Sequence, residues 1–435
     1  MSNVILGMNI VDGPAILGLF AVAGFAALYL IARRPTRRWM TILASATVSG
    51  LVMAVLIWFF TVRVWNLFGV SLGTTTYAWL AASCVGVSLA VASLWRSSAT
   101  RTVIASASVV LFLITGALGI NAGYGLNRTL GSLFGVSAEQ PIQLAQPKGT
   151  PGLTPTTAGP LWKSWTPPPD MPAQGTTGTQ MIPPTLSGFV SRPAGLYLPP
   201  AALVADPPKL PFVLLLMGQP GNPDPSFIAA TLDHEAALHH GLAPIVLVAD
   251  QLGDPAADPL CLDTPEYGNA ESFITGDVVN WARANLNILS DPQHWTIAGY
   301  SNGGQCAISL AAKHPTLWSN VIDISGEEFA GSEIAAATLH DVFHGDQAAY
   351  DAQKPVTLLA AHPLPGTFGV FTVGSNDAAF IPGARRIFAA AQAAGMTATY
   401  WESPNGGHVL PALTDGLNKA FEVLYPHLGL APPQG

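Results

Sequence analysis

Charge is what this sequence has least of. Asp, Glu, Lys and Arg make up 10% of its 435 residues, where soluble domains carry about 25%. Acids are almost missing from residues 1–124, which hold Asp12 alone against seven arginines, a net of +6; residues 125–435 hold 11 Lys+Arg against 25 Asp+Glu, a net of −14. The shortage excludes a chain that is soluble throughout. The acidic second part offers no basic face for phosphates, which excludes nucleic acid as a partner. Cysteine is scarce too: Cys84 lies in an apolar run, so only Cys261 and Cys306 can pair in an exported domain. No histidine pair has ligand spacing with a supporting acid or cysteine, so no metal site is expected.

What is present first is apolar length. Four uncharged runs, roughly Pro14 to Ile31, Met40 to Thr61, Tyr77 to Trp95 and Thr102 to Tyr124, are long enough to cross a bilayer as helices. The first is not a cleaved signal peptide, because its N-terminal flank carries no positive charge and the arginines follow it. Loop "ARRPTRR" holds four arginines and "RSSATR" two, against Arg63 alone between the second and third runs. The positive-inside rule then puts those two loops in the cytoplasm, with the N-terminus and everything after Tyr124 outside the cell membrane. Without a charge inside the runs there is no proton relay or ion path, so residues 1–124 read as an all-α four-helix membrane anchor rather than a transporter or channel.

Residues 125–186 are dense in Pro, Gly and Thr and read as an extended linker, with Trp162 and Trp165 as alternative docking anchors. From 187 to 435, short β-rich runs such as "PFVLLLMG", "PIVLVAD", "HWTIAGY" and "TFGVFTVG" alternate with helical stretches. Their continuous apolar character predicts strands buried on both faces, hence a mostly parallel sheet covered by helices.

Within "HWTIAGYSNGGQCAISL", Gly299, Ser301 and Gly303 satisfy G-x-S-x-G. With 43 glycines in the chain the pattern alone is weak. Its context is stronger: Ser301 falls between a predicted strand and a helix opened by small residues, the setting in which a strained turn pushes a hydroxyl outward as a nucleophile. The alternative is a plain helix N-cap. A serine nucleophile needs a base, and the base needs an orienting acid. His408, on the glycine-rich loop "ESPNGGHVL", is the expected base. Asp377, in "SNDAAF" after a late strand, is the expected acid, with Glu327, Glu328 and Asp346 as rivals. The oxyanion formed on attack needs backbone N–H donors; Asn302 follows the nucleophile, and Gln219 in "GQPGNPDP" is the candidate for the second.

Together "LYLPP", "LLLMGQPG", "GYSNGGQCAISLAAKHP", "FTVGSND" and "GGHV" resemble the esterase D branch of the α/β-hydrolases, which includes actinobacterial mycolyltransferases. Met217 stands where many α/β-hydrolases have a histidine before the glycine. The resemblance implies an α/β-hydrolase domain with Ser301, Asp377 and His408 as its triad, ester hydrolysis or acyl transfer through an acyl-enzyme, and no dissociable cofactor. Cys306 on the elbow helix and Cys261 in a loop expected beside it form a candidate disulfide.

The expectation is therefore a multi-pass serine esterase facing outward and acting on a lipid-like ester, an envelope lipid or an aminoacyl lipid. An acyltransferase that uses an alcohol acceptor is the near alternative, and a non-catalytic receptor of hydrolase fold the distant one.

Overall fold

The structure is a computed structural model that describes residues 5–65, 72–95, 97–137, 139–144, 159–255 and 257–433. Arg96 and the central linker residues 145–158 lie outside the described residues. The chain divides into two compact units, Met1–Ala138 and Glu139–Gly435.

The first unit is all-helical: α1 (Pro14–Ile31), α2 (Arg37–Trp58, continued by a wider π-helical turn, Phe59–Val64), α3 (Thr74–Ser93) and α4 (Ala99–Tyr124). All four are long and apolar enough to cross a membrane. Their apolar side chains turn outward, as at Phe25 and Val103, so the bundle interior must close through small residues. A β-carbon on Gly50 would lie 2.6 Å from the Val85 backbone, and one on Gly119 would lie 2.2 Å from the Trp79 ring. At one end, the Arg101 guanidinium donates to the carbonyl oxygen of Tyr29, and Arg33 donates to that of Ser93. These cations meet the negative C-terminal ends of α1 and α3, which gathers arginines of the first and third connections at one end of the bundle.

The second unit is built on eight strands: β1 (Thr176–Gln180), β2 (Ala194–Leu198), β3 (Phe212–Leu216), β4 (Ile245–Ala249), β5 (Trp295–Tyr300), β6 (Asn320–Ile324), β7 (Phe368–Gly374) and β8 (Thr397–Ser403). Their order in the sheet is β1-β2-β4-β3-β5-β6-β7-β8. From β4 to β8 all neighbours are parallel, with registers such as Leu216 opposite Gly299 and Ile324 opposite Thr372; β2 runs antiparallel to both β1 and β4. The central strands β3 to β6 are fully buried, covered by α5 (Ser226–Leu238), α6 (Asn302–Lys313), α7 (Ile381–Ala393) and α8 (Leu410–His427). The chain leaves β3 for β4 on one side and returns to β5 on the other, and ligands of open α/β sheets bind at the carboxyl ends of strands at such a reversal.

One boundary differs from the sequence reading. The stretch read as linker up to residue 186 already contributes β1 to the sheet edge, and Trp165 donates its indole N–H to the His240 carbonyl oxygen at 2.9 Å. The reason is backbone pairing: "TTGTQ" has no apolar run to signal a strand, yet its amides pair with β2, which needs no apolar side chain.

Candidate active site

Every candidate side chain follows the carboxyl end of a parallel strand: Gln219 after β3, Ser301 after β5, Glu327 after β6, Asp377 after β7 and His408 after β8. The turn at Ser301 is the most constrained of these. Ser301 adopts φ 56° and ψ −120°, a conformation costing a non-glycine residue about 1–3 kcal/mol unless its surroundings enforce it. They do so through glycine. A β-carbon on Gly299 would fall 1.9 Å from the Gly303 carbonyl oxygen, and one on Gly303 would fall 2.0 Å from that of Leu216. Strand β5, helix α6 and strand β3 therefore touch backbone to backbone at the turn. The Ser301 N–H donates to the Ile324 carbonyl oxygen at 2.9 Å, which leaves the side chain projecting from the sheet.

Two loops meet it. Gly374 ends β7 with no room for a β-carbon, which would lie 2.5 Å from the Gly406 carbonyl oxygen. The Asn376 N–H donates to that same oxygen at 2.7 Å, and the Ser375 N–H donates to the Ser403 carbonyl oxygen at 2.9 Å. The acid loop and the base loop are thus laced together before their side chains are considered. His408 Nδ1 lies 2.8 Å from Asp377 Oδ2, and His408 Nε2 lies 2.8 Å from Ser301 Oγ. Asp377 is acceptor-only when ionised, so Nδ1 carries the proton and Nε2 is left to accept from the serine hydroxyl. Burial separates the two roles: the Asp377 side chain is 5% exposed and that of His408 26%, so the carboxylate is shielded while the imidazole edge stays reachable. The ring is gripped by Phe380, stacked at 3.9 Å between centroids, and by Tyr300 at 5.3 Å. Neither aromatic was singled out from the sequence, although Tyr300 is the first of the two variable residues of the G-x-S-x-G match and Phe380 lies three residues after the acid.

Asn302 opens α6, where the first N–H groups of a helix have no intrahelical partner. The loop after β3 passes close by, since a β-carbon on Gly218 would lie 3.1 Å from Ser301 Cβ. Among the described residues, the Gln219 N–H donates no backbone hydrogen bond.

The rival groups lie elsewhere or do other work. Glu328 pairs with Arg386 on the surface, and Asp346 caps a short helix through the Ala349 N–H. His314 meets Glu271, His340 meets Asp341, and His427 stacks on Phe368. Glu327 is different. It is buried beside the turn, its N–H donating to the Ser301 carbonyl oxygen at 3.3 Å. Desolvation, then the neighbouring Asp258 and Glu333, push its carboxyl well above the usual range. Burial likewise raises Asp258 and Glu333. Behind the elbow, burial pushes Asp323 up to about 7.

Cys261 and Cys306 form a disulfide with 5.6 Å between their Cα atoms, tying the loop that carries Asp258 to the elbow helix. Cys84 is free and buried in the helical unit.

Fold and site together define a serine hydrolase of α/β-hydrolase architecture. The chain belongs to the Putative esterase family, whose model matches residues 191–415, and is a carboxylic ester hydrolase. An uncharacterized protein of Corynebacterium glutamicum is 28% identical over 432 residues, 95% of this chain and 96% of the relative, so that alignment runs through both units. Among solved structures, a ferulic acid esterase aligns with 59% of this chain and 99% of its own at 17% identity and a TM-score of 0.47. An S-formylglutathione hydrolase from Agrobacterium tumefaciens aligns with 58% and 95% at 17% identity and a TM-score of 0.48.

Proposed function

We propose that the chain is a membrane-anchored serine esterase that cleaves lipid-like esters, of an envelope lipid or an aminoacyl lipid, on the outer side of the cell membrane. The observation that carries the reading is the continuous line from Asp377 through His408 to Ser301, with 2.8 Å at each step. His408 Nε2 takes the Ser301 proton as Oγ attacks the ester carbonyl carbon. The oxyanion meets the N–H groups of Asn302 and Gln219. As the tetrahedral species collapses, the proton passes from Nε2 to the departing alkoxide, leaving an acyl group on Ser301. Water, deprotonated by the same nitrogen, then releases the acid. Asp377 holds the imidazole in the required tautomer and stabilises its charged form.

Anchoring is supported by the four apolar helices, and orientation by the arginine-rich first and third connections. Tethering raises the local concentration of a lipid ester at the bilayer surface. Two experiments test the two halves of the reading. The detergent-solubilised enzyme hydrolyses long-chain esters, and Asp377→Asn lowers kcat by roughly 10³–10⁴; full activity in that variant removes Asp377 from the mechanism. On intact cells, a membrane-impermeant maleimide reaches Val190→Cys, at an 84% exposed position, and does not reach Pro35→Cys. The reverse pattern overturns the orientation.

A further inference from the structure

One buried carboxamide joins the two segments that flank the nucleophile. Gln251 lies two residues beyond the end of β4 and is 2% exposed. Its Nε2 donates to the Met217 carbonyl oxygen and, at 3.3 Å, to Asn302 Oδ1. The Met217 carbonyl can only accept, and Asn302 is held with Oδ1 toward Gln251 because its own Nδ2 donates to Asp258 Oδ1 at 2.9 Å. Both partners therefore require the NH2 end of Gln251. The backbone that carries it is held as firmly. Asp250, also 2% exposed, accepts from Arg192 N, Nε and Nη2 at 2.6, 3.1 and 2.6 Å, and Arg192 Nη1 donates to Asn222 Oδ1 at 2.9 Å. The loop after β3 is thus gripped at two points, at Met217 by Gln251 and at Asn222 through Arg192. One helical turn beyond Asn302, Cys306 is bridged to Cys261, in the same segment after β4.

We infer that Gln251 is a positioning residue for ester cleavage, setting the spacing of the Gln219 and Asn302 N–H groups that meet the oxyanion. The inference rests on Ser301 being the nucleophile and on those two groups being the oxyanion donors. The Met217 carbonyl belongs to the peptide just before the one that carries the Gln219 N–H, so holding it holds the turn that aims this donor. The bond to Asn302 Oδ1 holds the residue that carries the other. Such donors act because they stand in place before charge develops on the substrate oxygen. A neutral amide with two N–H groups fixes both segments without the desolvation penalty a lysine or arginine would bring to a buried position. Gln251 acts through the donors, and they matter most when the oxyanion exists, so its loss lowers kcat more than it weakens binding of the uncharged ester.

The test uses the full chain in detergent with one ester, a trifluoromethyl ketone of the same acyl chain, and the alcohol obtained by reducing that ketone. Ser301 Oγ adds to the ketone carbon as its proton passes to His408, and the hemiketal oxygen so formed carries the charge of an oxyanion. The alcohol fills the same site without one. Gln251→Met keeps the length of the side chain and removes both N–H groups. It is expected to lower kcat/KM by about tenfold to a hundredfold, a part of the roughly 10²–10³ lost when one donor is removed outright. The inhibition constant of the ketone is expected to rise by a similar factor, while that of the alcohol stays within about threefold. Gln251→Glu, whose carboxyl offers at most one donor to two acceptors, reports in the same direction if Gln251→Met does not fold. An unchanged kcat/KM, or equal weakening of ketone and alcohol, overturns the positioning role and leaves Gln251 a structural residue. Ester cleavage that survives in Ser301→Ala overturns the underlying mechanism instead, and a wild type that binds ketone and alcohol equally overturns the oxyanion donors themselves.

Discussion

A β-carbon on Gly303 would stand 2.0 Å from the carbonyl oxygen of Leu216, which makes the contact between the elbow helix and β3 a backbone contact. Neither partner is the flexible end of a side chain, so neither can yield. Gly303→Ala is therefore expected to destabilise the catalytic unit by about 1–3 kcal/mol or more, seen as a lowered melting temperature in detergent. Gly407, with nothing within 4 Å of its would-be β-carbon, is expected to accept Ala with little change in melting temperature. Equal effects at the two positions would contradict this account of the turn.

Phe380 stacks on His408 at 3.9 Å and 21°, and its role is to hold the imidazole between acid and nucleophile. Stacked aromatic pairs contribute about 0.5–1.5 kcal/mol beyond burial, so Phe380→Leu is expected to lower kcat/KM by up to roughly tenfold. Because the ring only positions the base, the variant should keep fluorophosphonate reactivity at a reduced rate. An unchanged rate would remove Phe380 from the positioning of His408.

Much of this was legible in the sequence because its signals are local. The strands β3, β4 and β5 are uninterrupted apolar runs, and Ser301, Asp377 and His408 each lie in a short glycine- or turn-rich segment just after a strand. What escaped lacks such signals. Strand β1 is "TTGTQ", the last strand at one end of the sheet, bridged on its outer side only at Thr179 by residues 140–142, and free of apolar periodicity. The short helices Ala335–Asp341, Gln347–Ala352 and Pro355–Ala361 lie in a span with no long periodicity. The juxtaposition of Asp258 with Glu327 joins loops far apart in the chain and exists only once the sheet has brought β4 and β6 to either side of β3 and β5.

The disulfide between Cys261 and Cys306 closes a loop of 45 residues. In the chain-entropy view such a closure is worth about 4 kcal/mol. Reduction, or the double change to serine, is expected to lower the melting temperature markedly, and alkylation of the denatured, unreduced protein should modify Cys84 alone. Finding Cys261 and Cys306 alkylatable without reductant would contradict the bridge.

Asp323 supplies a pH signature. Burial raises its carboxyl from the ordinary range near 4 to about 7, so between those values the folded state holds a proton that the unfolded chain has released. Its stabilising contribution is complete below about pH 4 and is lost as pH rises through about 7. Asp323→Asn removes the titration, so the melting temperature of the variant relative to wild type should rise from pH 5 to pH 8. A difference independent of pH would show that Asp323 does not carry the effect.

The central claim is that Ser301 is the nucleophile, and covalent labelling followed by mass mapping tests it most directly. A fluorophosphonate should leave a single adduct, on Ser301, in the wild type, and none in Ser301→Ala. No labelling of folded wild type, an adduct on another residue, or equal labelling of Ser301→Ala would contradict the account.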